Sequence, residues 1–170
     1  MGCQPISRNA SRKGQRFYLW PFLFSRFQYA TPFRELKHRY LNACDLKDVA
    51  AIRDCFAQGP VLIDYGPLGV FNDREPFLAL YRELACVPRV IDLHHAANPQ
   101  IDYQDPDNAQ ARWALHYQNR DAETGVTRQL GGFYQDCYRR EAGQWRIVET
   151  VFRGHFEVVR PKPGPISPWP

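Results

Sequence analysis

The segment around which the chain is organised reads Arg34-Glu-Leu-Lys-His-Arg-Tyr-Leu-Asn-Ala-Cys-Asp45. Its apolar and aromatic side chains recur at three- and four-residue spacing with charged side chains between them, which predicts an amphipathic helix. The helix carries the phenol of Tyr40 and, near its end, the carboxylate of Asp45. Together with the imidazole of His94 farther along the chain, these groups offer an acid, a base and an orienting anion. Such a set can move protons on an uncharged organic molecule without a metal.

The spacing of Tyr40 and Asp45 restricts how the two side chains can act together. Five residues at about 100° per residue place them well apart around a continuous helix. We therefore expect the helix to end between them, so that both can serve one pocket with His94. Without such a break, Tyr40 would be a core aromatic residue and Asp45 the N-cap of a second helix that runs through Phe56.

Beyond this segment the chain changes from helical to strand-like patterns. Asn72-Asp73 begins a third helix that stops before Pro88, and no helical period follows. The pair Gly131-Gly132 within a strand pattern predicts a bulge or a sharp bend. Helices followed by a hairpin sheet predict an α+β fold, with three helices on the concave side of a curved, mixed but largely antiparallel sheet and a pocket between the layers. The expected strands are 61–65, 89–103, 108–121, 126–141 and 144–159.

Length and composition indicate one globular domain with two tails. The 170 residues include 44% hydrophobic residues, which is enough for a substantial core. We assign 1–33 as a basic, aromatic N-terminal extension, 34–159 as the domain and 160–170 as a proline-rich C-terminal tail. The net charge of +4 comes from these ends, because the domain between them carries more acidic than basic residues. A nucleic-acid partner is therefore not expected.

The cysteines and the longest apolar run bear on the cellular setting. Five cysteines are widely spread without a Cys-x-x-Cys pair, which is typical of neither a disulfide framework nor a zinc ribbon and favours a reducing cytoplasm. The apolar run 17–24 is too short to cross a bilayer, so no membrane partner is expected. The spacing of histidines and cysteines predicts no metal site, and the lack of a glycine-rich phosphate loop argues against a nucleotide, so no cofactor is expected.

Several motifs occur in the same order as the predicted elements. They read Glu35-Leu-x-x-x-Tyr40-x-x-x-x-Asp45, Leu93-His94-His95-x-x-Asn-Pro99, Ala111-Arg-Trp113, and Gly131-Gly-Phe-Tyr134 leading to Gly143-Gln-Trp-Arg-Ile-Val-Glu-Thr150. In their order and spacing, from about Phe33 to Phe156, the chain resembles the SnoaL-like group of the nuclear transport factor 2-like superfamily. Within that group the likeness is greatest to bile-acid 7α-dehydratases.

The resemblance implies a cone-shaped sheet whose mouth receives a small apolar ligand of steroid, terpenoid or polyketide type. It also implies that subunits associate as homodimers or homotrimers. Tyr40, Asp45 and His94 stand at the catalytic positions of the bile-acid enzymes. A further functional arginine of those enzymes falls on Gly154, which argues against a bile acid as the substrate. Further contacts with the ligand are expected from Tyr65, His116, Tyr117 and Phe133.

His94 and His95 are neighbours on a predicted strand, so their side chains point to opposite faces and only one can serve the pocket. A lone strand histidine is more often structural than catalytic. The resemblance selects His94, and histidine is a residue type suited to proton transfer near neutral pH.

These residues lead to two alternative functions. The first is a cofactor-independent dehydratase or isomerase, in which His94 moves a proton, Asp45 fixes its tautomer and Tyr40 hydrogen-bonds a developing oxyanion. The second is a non-catalytic ligand-binding or assembly module, similar to the small subunit of ring-hydroxylating oxygenases. The two differ in whether the three side chains converge at one pocket.

Overall fold

The structure is a computed structural model that describes residues 20–162, with side chains described from residue 31 onward. The chain divides into two units at the junction of Thr31 and Pro32, and the fold belongs to the second unit. Most of the predicted N-terminal extension and the end of the predicted C-terminal tail lie outside the described residues.

The described residues form three α-helices and a six-stranded, mostly antiparallel curved sheet, so the predicted α+β fold is confirmed. The spatial order of the strands is β2-β1-β6-β5-β4-β3. A short 3-10 helix spans Gly66–Leu68. The elements are α1 (Trp20–Leu46), α2 (Val49–Cys55), β1 (Leu62–Asp64), β2 (Val70–Phe71), α3 (Arg74–Ala85), β3 (Val90–Tyr103), β4 (Asn108–Asp121), β5 (Thr127–Glu141) and β6 (Gln144–Arg160).

Helix α1 differs from the prediction at both ends. It begins at Trp20, and Pro32 lies inside it, where the proline removes one N–H donor while the helix continues on both sides. The helix also continues through Asp45 to Leu46, so the expected break between Tyr40 and Asp45 is absent. That prediction was wrong.

The turn after α1 assigns the capping role to a different aspartate. Lys47 has a positive φ of 61°, which redirects the chain into α2. Asp48 caps α2, because its side chain accepts a hydrogen bond from the Ala51 N–H at 3.0 Å. The alternative role of Asp45 as an N-cap is therefore ruled out, and its carboxylate is available to another partner.

The four long strands begin and end within one residue of the predicted positions, and they pair as consecutive antiparallel hairpins. The short strand β1 is also confirmed, but its parallel pairing with β6 was not predicted. Strand β2, which pairs with β1 at the edge of the sheet, was not predicted either. The β1–β6 pairing joins segments far apart in the sequence, which local patterns do not encode.

The predicted bend at Gly131-Gly132 is a register shift between β5 and β6. Gly131 pairs with Phe156 and Gly132 with Gly154, so the extra residue lies on β6. A Cβ atom on Gly132 would lie 2.4 Å from the carbonyl oxygen of Arg153, so only glycine permits this close approach. Bulges of this kind bend a strand and increase its twist, which contributes to the curvature of the sheet.

The core lies between the helices and the concave face of the sheet. Phe33 on α1 is fully buried, and its ring centroid lies 5.0 Å from that of Tyr138 and 4.8 Å from that of Trp145. Edge-on and tilted ring pairs at such distances stabilise an aromatic core. The core does not fill all of the space between the two layers, because a cavity remains there.

Candidate active site

The cavity between the helices and the sheet has a volume of about 530 Å³. Most of its wall is apolar, and a volume of this order suits a small organic ligand. The apolar wall includes Phe71, Phe77, Leu80, Leu84, Leu130 and Phe152. The polar side chains in the wall include Tyr40, Tyr65, Asp92, His94 and Asn119.

The central feature of the site is the contact between Asp45 and His94. Asp45 Oδ1 lies 2.6 Å from His94 Nδ1, and Asp45 Oδ2 accepts a hydrogen bond from the backbone N–H of His94 at 3.1 Å. A carboxylate next to Nδ1 makes that nitrogen the donor, so Nε2 is the ring nitrogen left for a ligand. His94 lines the cavity. The pair is therefore a base that an anion holds in one tautomer and one orientation.

The continuous helix does not prevent Tyr40 and Asp45 from serving one site. Tyr40 lines the cavity, whereas Asp45 lies outside the cavity wall, on an adjoining surface groove. The His94 imidazole forms part of the wall, so the carboxylate acts on it without entering the cavity. The expected helix break rested on the assumption that both side chains enter the cavity directly, whereas in the structure only Tyr40 lines it.

A second tyrosine joins Tyr40 in the cavity wall. The hydroxyl oxygens of Tyr40 and Tyr65 lie 2.5 Å apart. Burial raises the pKa of both phenols well above the ordinary value, so both remain protonated at neutral pH. Within such a pair one hydroxyl donates to the other, which leaves one O–H for a ligand. The pair is therefore a hydrogen-bond donor rather than a base.

Tyr117 lies in the cavity wall, and its ring packs on the imidazole. The centroids of the Tyr117 and His94 rings are 4.5 Å apart, with 36° between the planes. The Tyr117 hydroxyl donates to Asp92 Oδ1 at 2.6 Å. Burial raises the pKa of this phenol, and the bond to the carboxylate raises it further. The hydroxyl is therefore engaged, and the ring is the part of Tyr117 that shapes the site.

Asp92 was not among the predicted site residues, although its position two residues before His94 on one strand places both side chains on the same face. Its Oδ2 forms an ion pair with Lys47, and its Oδ1 accepts a hydrogen bond from Asn119 at 2.8 Å. Burial alone would raise the pKa of Asp92, but the hydrogen bonds from Lys47, Tyr117 and Asn119 outweigh it and hold the pKa below the ordinary value. Asp92 is therefore a charged residue at this wall of the cavity.

Two residues predicted to contact the ligand, His116 and Phe133, lie on the opposite face of the sheet. His116 precedes the cavity residue Tyr117, so the alternation of the strand sends it outward, where its ring stacks on His95 at 6.4 Å between centroids. Phe133 likewise precedes the cavity residue Tyr134. These two predictions were wrong, because of two adjacent strand residues only one can face the pocket.

The described residues contain neither a cluster of metal ligands nor a membrane-spanning helix. Within residues 31–162, no group of three or more His, Cys, Asp or Glu side chains is arranged to hold a metal ion. The described helices include none with the length and apolar character needed to span a membrane. The described cysteines that are free thiols are Cys44, Cys55, Cys86 and Cys137.

A match to a family model establishes the protein family of the chain. The family model described as a SnoaL-like domain matches residues 32–151, a range that contains Tyr40, Asp45 and His94. The chain belongs to the SnoaL-like family. The resemblance found in the sequence is confirmed at the level of this family, whereas a specific likeness to bile-acid dehydratases is not. No curated protein matches the chain in sequence.

Solved structures share the fold of this SnoaL-like chain at low sequence identity. A proposed scytalone dehydratase from Novosphingobium aromaticivorans is 17% identical, with 85% of this chain and 99% of its own covered and a TM-score of 0.72. The hexachlorocyclohexane dehydrochlorinase LinA-type3 from Novosphingobium barchaimii is 14% identical, with 85% and 99% covered and a TM-score of 0.71. A protein of unknown function from Mycobacterium tuberculosis is 22% identical, with 78% and 75% covered and a TM-score of 0.66. At these identities the likeness establishes the fold.

Proposed function

We propose that the protein is a cofactor-independent lyase or isomerase that acts by general acid–base catalysis on a small apolar cyclic molecule. The observation that carries the proposal is the double contact of Asp45 with His94, at the wall of an apolar cavity that also contains the Tyr40 hydroxyl. An oriented imidazole and a neutral donor at one cavity are the parts that such a reaction requires.

His94 acts as the base. Its Nε2 takes a proton from a carbon beside the activated position of the substrate, and Asp45 stabilises the imidazolium that forms. In a dehydration, the electron pair left on carbon forms the double bond, and the imidazolium returns its proton to the departing hydroxyl, which leaves as water. In an isomerisation, the proton returns to a different carbon.

Tyr40 and Tyr65 act as the donor pair. Because both phenols are protonated at neutral pH, one O–H is available for a carbonyl or hydroxyl oxygen of the substrate. A donor fixed in an apolar cavity stabilises negative charge on that oxygen more strongly than water would. The pair therefore lowers the barrier to removal of the neighbouring proton.

The apolar wall supports an uncharged ring compound of steroid, terpenoid or polyketide type as the substrate. Two of the structurally similar proteins are named as a dehydratase and a dehydrochlorinase, both of which carry out eliminations. These names favour elimination as the reaction class.

A non-catalytic ligand-binding or assembly module is the alternative. It predicts that the three side chains lie apart or that core aromatic residues fill the pocket. The contact of Asp45 with His94 and the volume of the cavity favour the enzyme instead. Association as homodimers or homotrimers and a cytoplasmic location stay predictions of the sequence.

The proposal is tested first by finding a ligand. Steroids, terpenoids and aromatic ketones are screened for thermal stabilisation of the purified protein, since a ligand of the native state raises its apparent stability. Compounds that stabilise the protein are then incubated with it, and mass spectrometry after chromatography follows loss of water or isomerisation.

His94→Ala should lower turnover about a hundredfold or more while the thermal stabilisation by the ligand persists, because the base is lost and the cavity remains. The matched control is His95→Ala, which removes the neighbouring imidazole from the opposite face of the same strand and should retain turnover. Unchanged turnover in His94→Ala, or an equal loss in both variants, would contradict the proposed mechanism.

A further inference from the structure

Two side-chain pairs lie side by side between the end of α1 and strand β3. Asp45 contacts His94, and Lys47 contacts Asp92. Asp92 and His94 share the concave face of β3, so a second carboxylate stands beside the imidazole. That carboxylate has its own cation, which the proposed reaction does not use.

Asp92 also holds a ring against the imidazole. Its Oδ1 accepts hydrogen bonds from the Tyr117 hydroxyl at 2.6 Å and from Asn119 Nδ2 at 2.8 Å. The Tyr117 ring in turn lies 4.5 Å from the His94 ring. The Asp92 side chain is only 6% exposed, so these interactions act where water screens charges weakly. The imidazole therefore lies between Asp45 on one side and a fixed tyrosine ring on another.

We propose that Lys47, Asp92 and Tyr117 are positioning residues for His94. Asp92 fixes the Tyr117 ring against the imidazole, and Lys47 cancels the negative charge that Asp92 brings to the site. This inference rests on the proposed function of His94 as a base.

The need for Lys47 follows from the chemistry of the base. Two uncompensated carboxylates near one imidazole would favour the imidazolium and reduce the fraction of free base near neutral pH. Lys47 removes this effect for Asp92, so Asp45 is the anion that acts on His94. The charged or titratable groups on the elements around the imidazole are Tyr40, Cys44 and Asp45 on α1, Lys47 after it, Tyr81 on α3, Asp92 on β3, Tyr117 on β4, Arg128 and Tyr134 on β5 and Glu157 on β6.

Among these groups, Lys47 and Asp92 can be changed without touching the proposed catalytic residues. Arg128 and Glu157 pair with each other at 3.2 Å and so offset each other's charge. The tyrosines and the Cys44 thiol are uncharged, because burial raises the pKa of each of them. A change in the Lys47–Asp92 pair is therefore the cleanest way to alter the charge at the imidazole.

The test is the titration of His94 in charge-removing variants. Lys47→Met leaves Asp92 unbalanced and should raise the midpoint pH of the His94 titration by about half to one unit. Asp92→Asn leaves Lys47 unbalanced, keeps an acceptor for Tyr117 and should lower the midpoint by a similar amount. The double variant should return it close to its original value. The midpoint is read from the His94 ring signal in NMR spectra of the full chain, assigned by its loss in His94→Gln.

Tyr117→Phe separates the positioning role from the charge. Loss of the bond to Asp92 should leave the midpoint nearly unchanged but increase the motion of the His94 ring, measured as a lower ¹³C order parameter. Arg53→Met is the matched control for net charge, because it removes a cation whose partner, Glu75, does not line the cavity. It should change neither quantity.

Shifts of the same sign in Lys47→Met and Asp92→Asn, or no shift in either, would overturn the proposal. If Asp92→Asn does not fold, Lys47→Met carries the test alone, since its side chain is partly exposed and it must still raise the midpoint. The titration requires no turnover. Opposite shifts in an inactive protein would therefore support the network and contradict the proposed function.

Discussion

Replacing Lys37 with methionine should destabilise the protein far more than the loss of a surface charge. Lys37 is fully buried, and its Nζ lies 2.8 Å from Asp136 Oδ2 and 3.4 Å from the centre of the Tyr134 ring. Burial lowers the pKa of the ammonium group, and the Asp136 carboxylate opposes this shift. Among the described residues Nζ has no well-aligned hydrogen bond, so the carboxylate and the aromatic face stabilise the charge.

The size of the loss in stability follows from the buried groups that Lys37→Met leaves without a partner. Methionine is close to lysine in volume, so packing changes little and the main effect is electrostatic. The Asp136 carboxylate stays buried with two remaining donors, the hydroxyls of Tyr138 at 2.7 Å and Thr150 at 2.8 Å. Removing one partner of a buried ion pair typically costs about 3–5 kcal/mol. For a chain of this length, such a loss corresponds to roughly 6–20 °C in the melting temperature.

Urea and thermal unfolding followed by circular dichroism at neutral pH measure the effect. The matched control is Arg53→Met, which breaks an exposed ion pair with Glu75 and should change stability little. Lys37→Met combined with Asp136→Asn should recover part of the loss, because no charge is left buried.

The reasoning would be refuted by a loss in Lys37→Met as small as that in Arg53→Met. A double variant, Lys37→Met with Asp136→Asn, that recovers none of the loss would also refute it, because it would trace the loss to packing rather than to an unpaired carboxylate. Both outcomes are read from the same set of unfolding curves.

Two further predictions concern close packing and thiol chemistry. Gly132→Ala should destabilise the protein by about 1–3 kcal/mol in urea unfolding, because its Cβ would lie 2.4 Å from the Arg153 carbonyl oxygen. Gly154→Ala, with its nearest contact at 3.4 Å, should be nearly neutral, and equal losses would contradict the argument. Burial raises the pKa of the Cys44 thiol to about 12. At about pH 8 a thiol reagent should therefore modify Cys44 much more slowly than the half-buried Cys86. Peptide mapping by mass spectrometry measures the two rates, and equal rates would contradict the prediction.

Local patterns in the sequence were sufficient for most of the secondary structure. The alternation along β4 and the turn residues between the long strands predicted strand ends within one residue, because these signals come from neighbouring residues. The cap at Asp73 is local in the same way, since its side chain accepts a hydrogen bond from the Glu75 N–H at 2.7 Å. Strand β2 was missed because two residues are too few to show a period.

The candidate site was predicted only in part. Family motifs singled out Tyr40, Asp45 and His94, and the structure brings Asp45 and His94 into contact and places Tyr40 at the same cavity. The motifs did not show that the imidazole bridges a continuous helix and the cavity. Lys47 and Asp92 were missed, since 45 residues of sequence separate them and no local pattern links the two.

The sequence by itself determined the order of the α-helices and of the strands other than β2, the alternating faces of the long strands and the family to which the chain belongs. The tertiary structure alone decided the parallel pairing of β1 with β6, the burial of Lys37 against Asp136 and the outward orientation of His116 and Phe133 relative to the cavity. The physical reason is the range of the interactions. Period, caps and turns act between neighbouring residues, whereas an ion pair in a core or a strand register depends on segments that meet only when the chain folds.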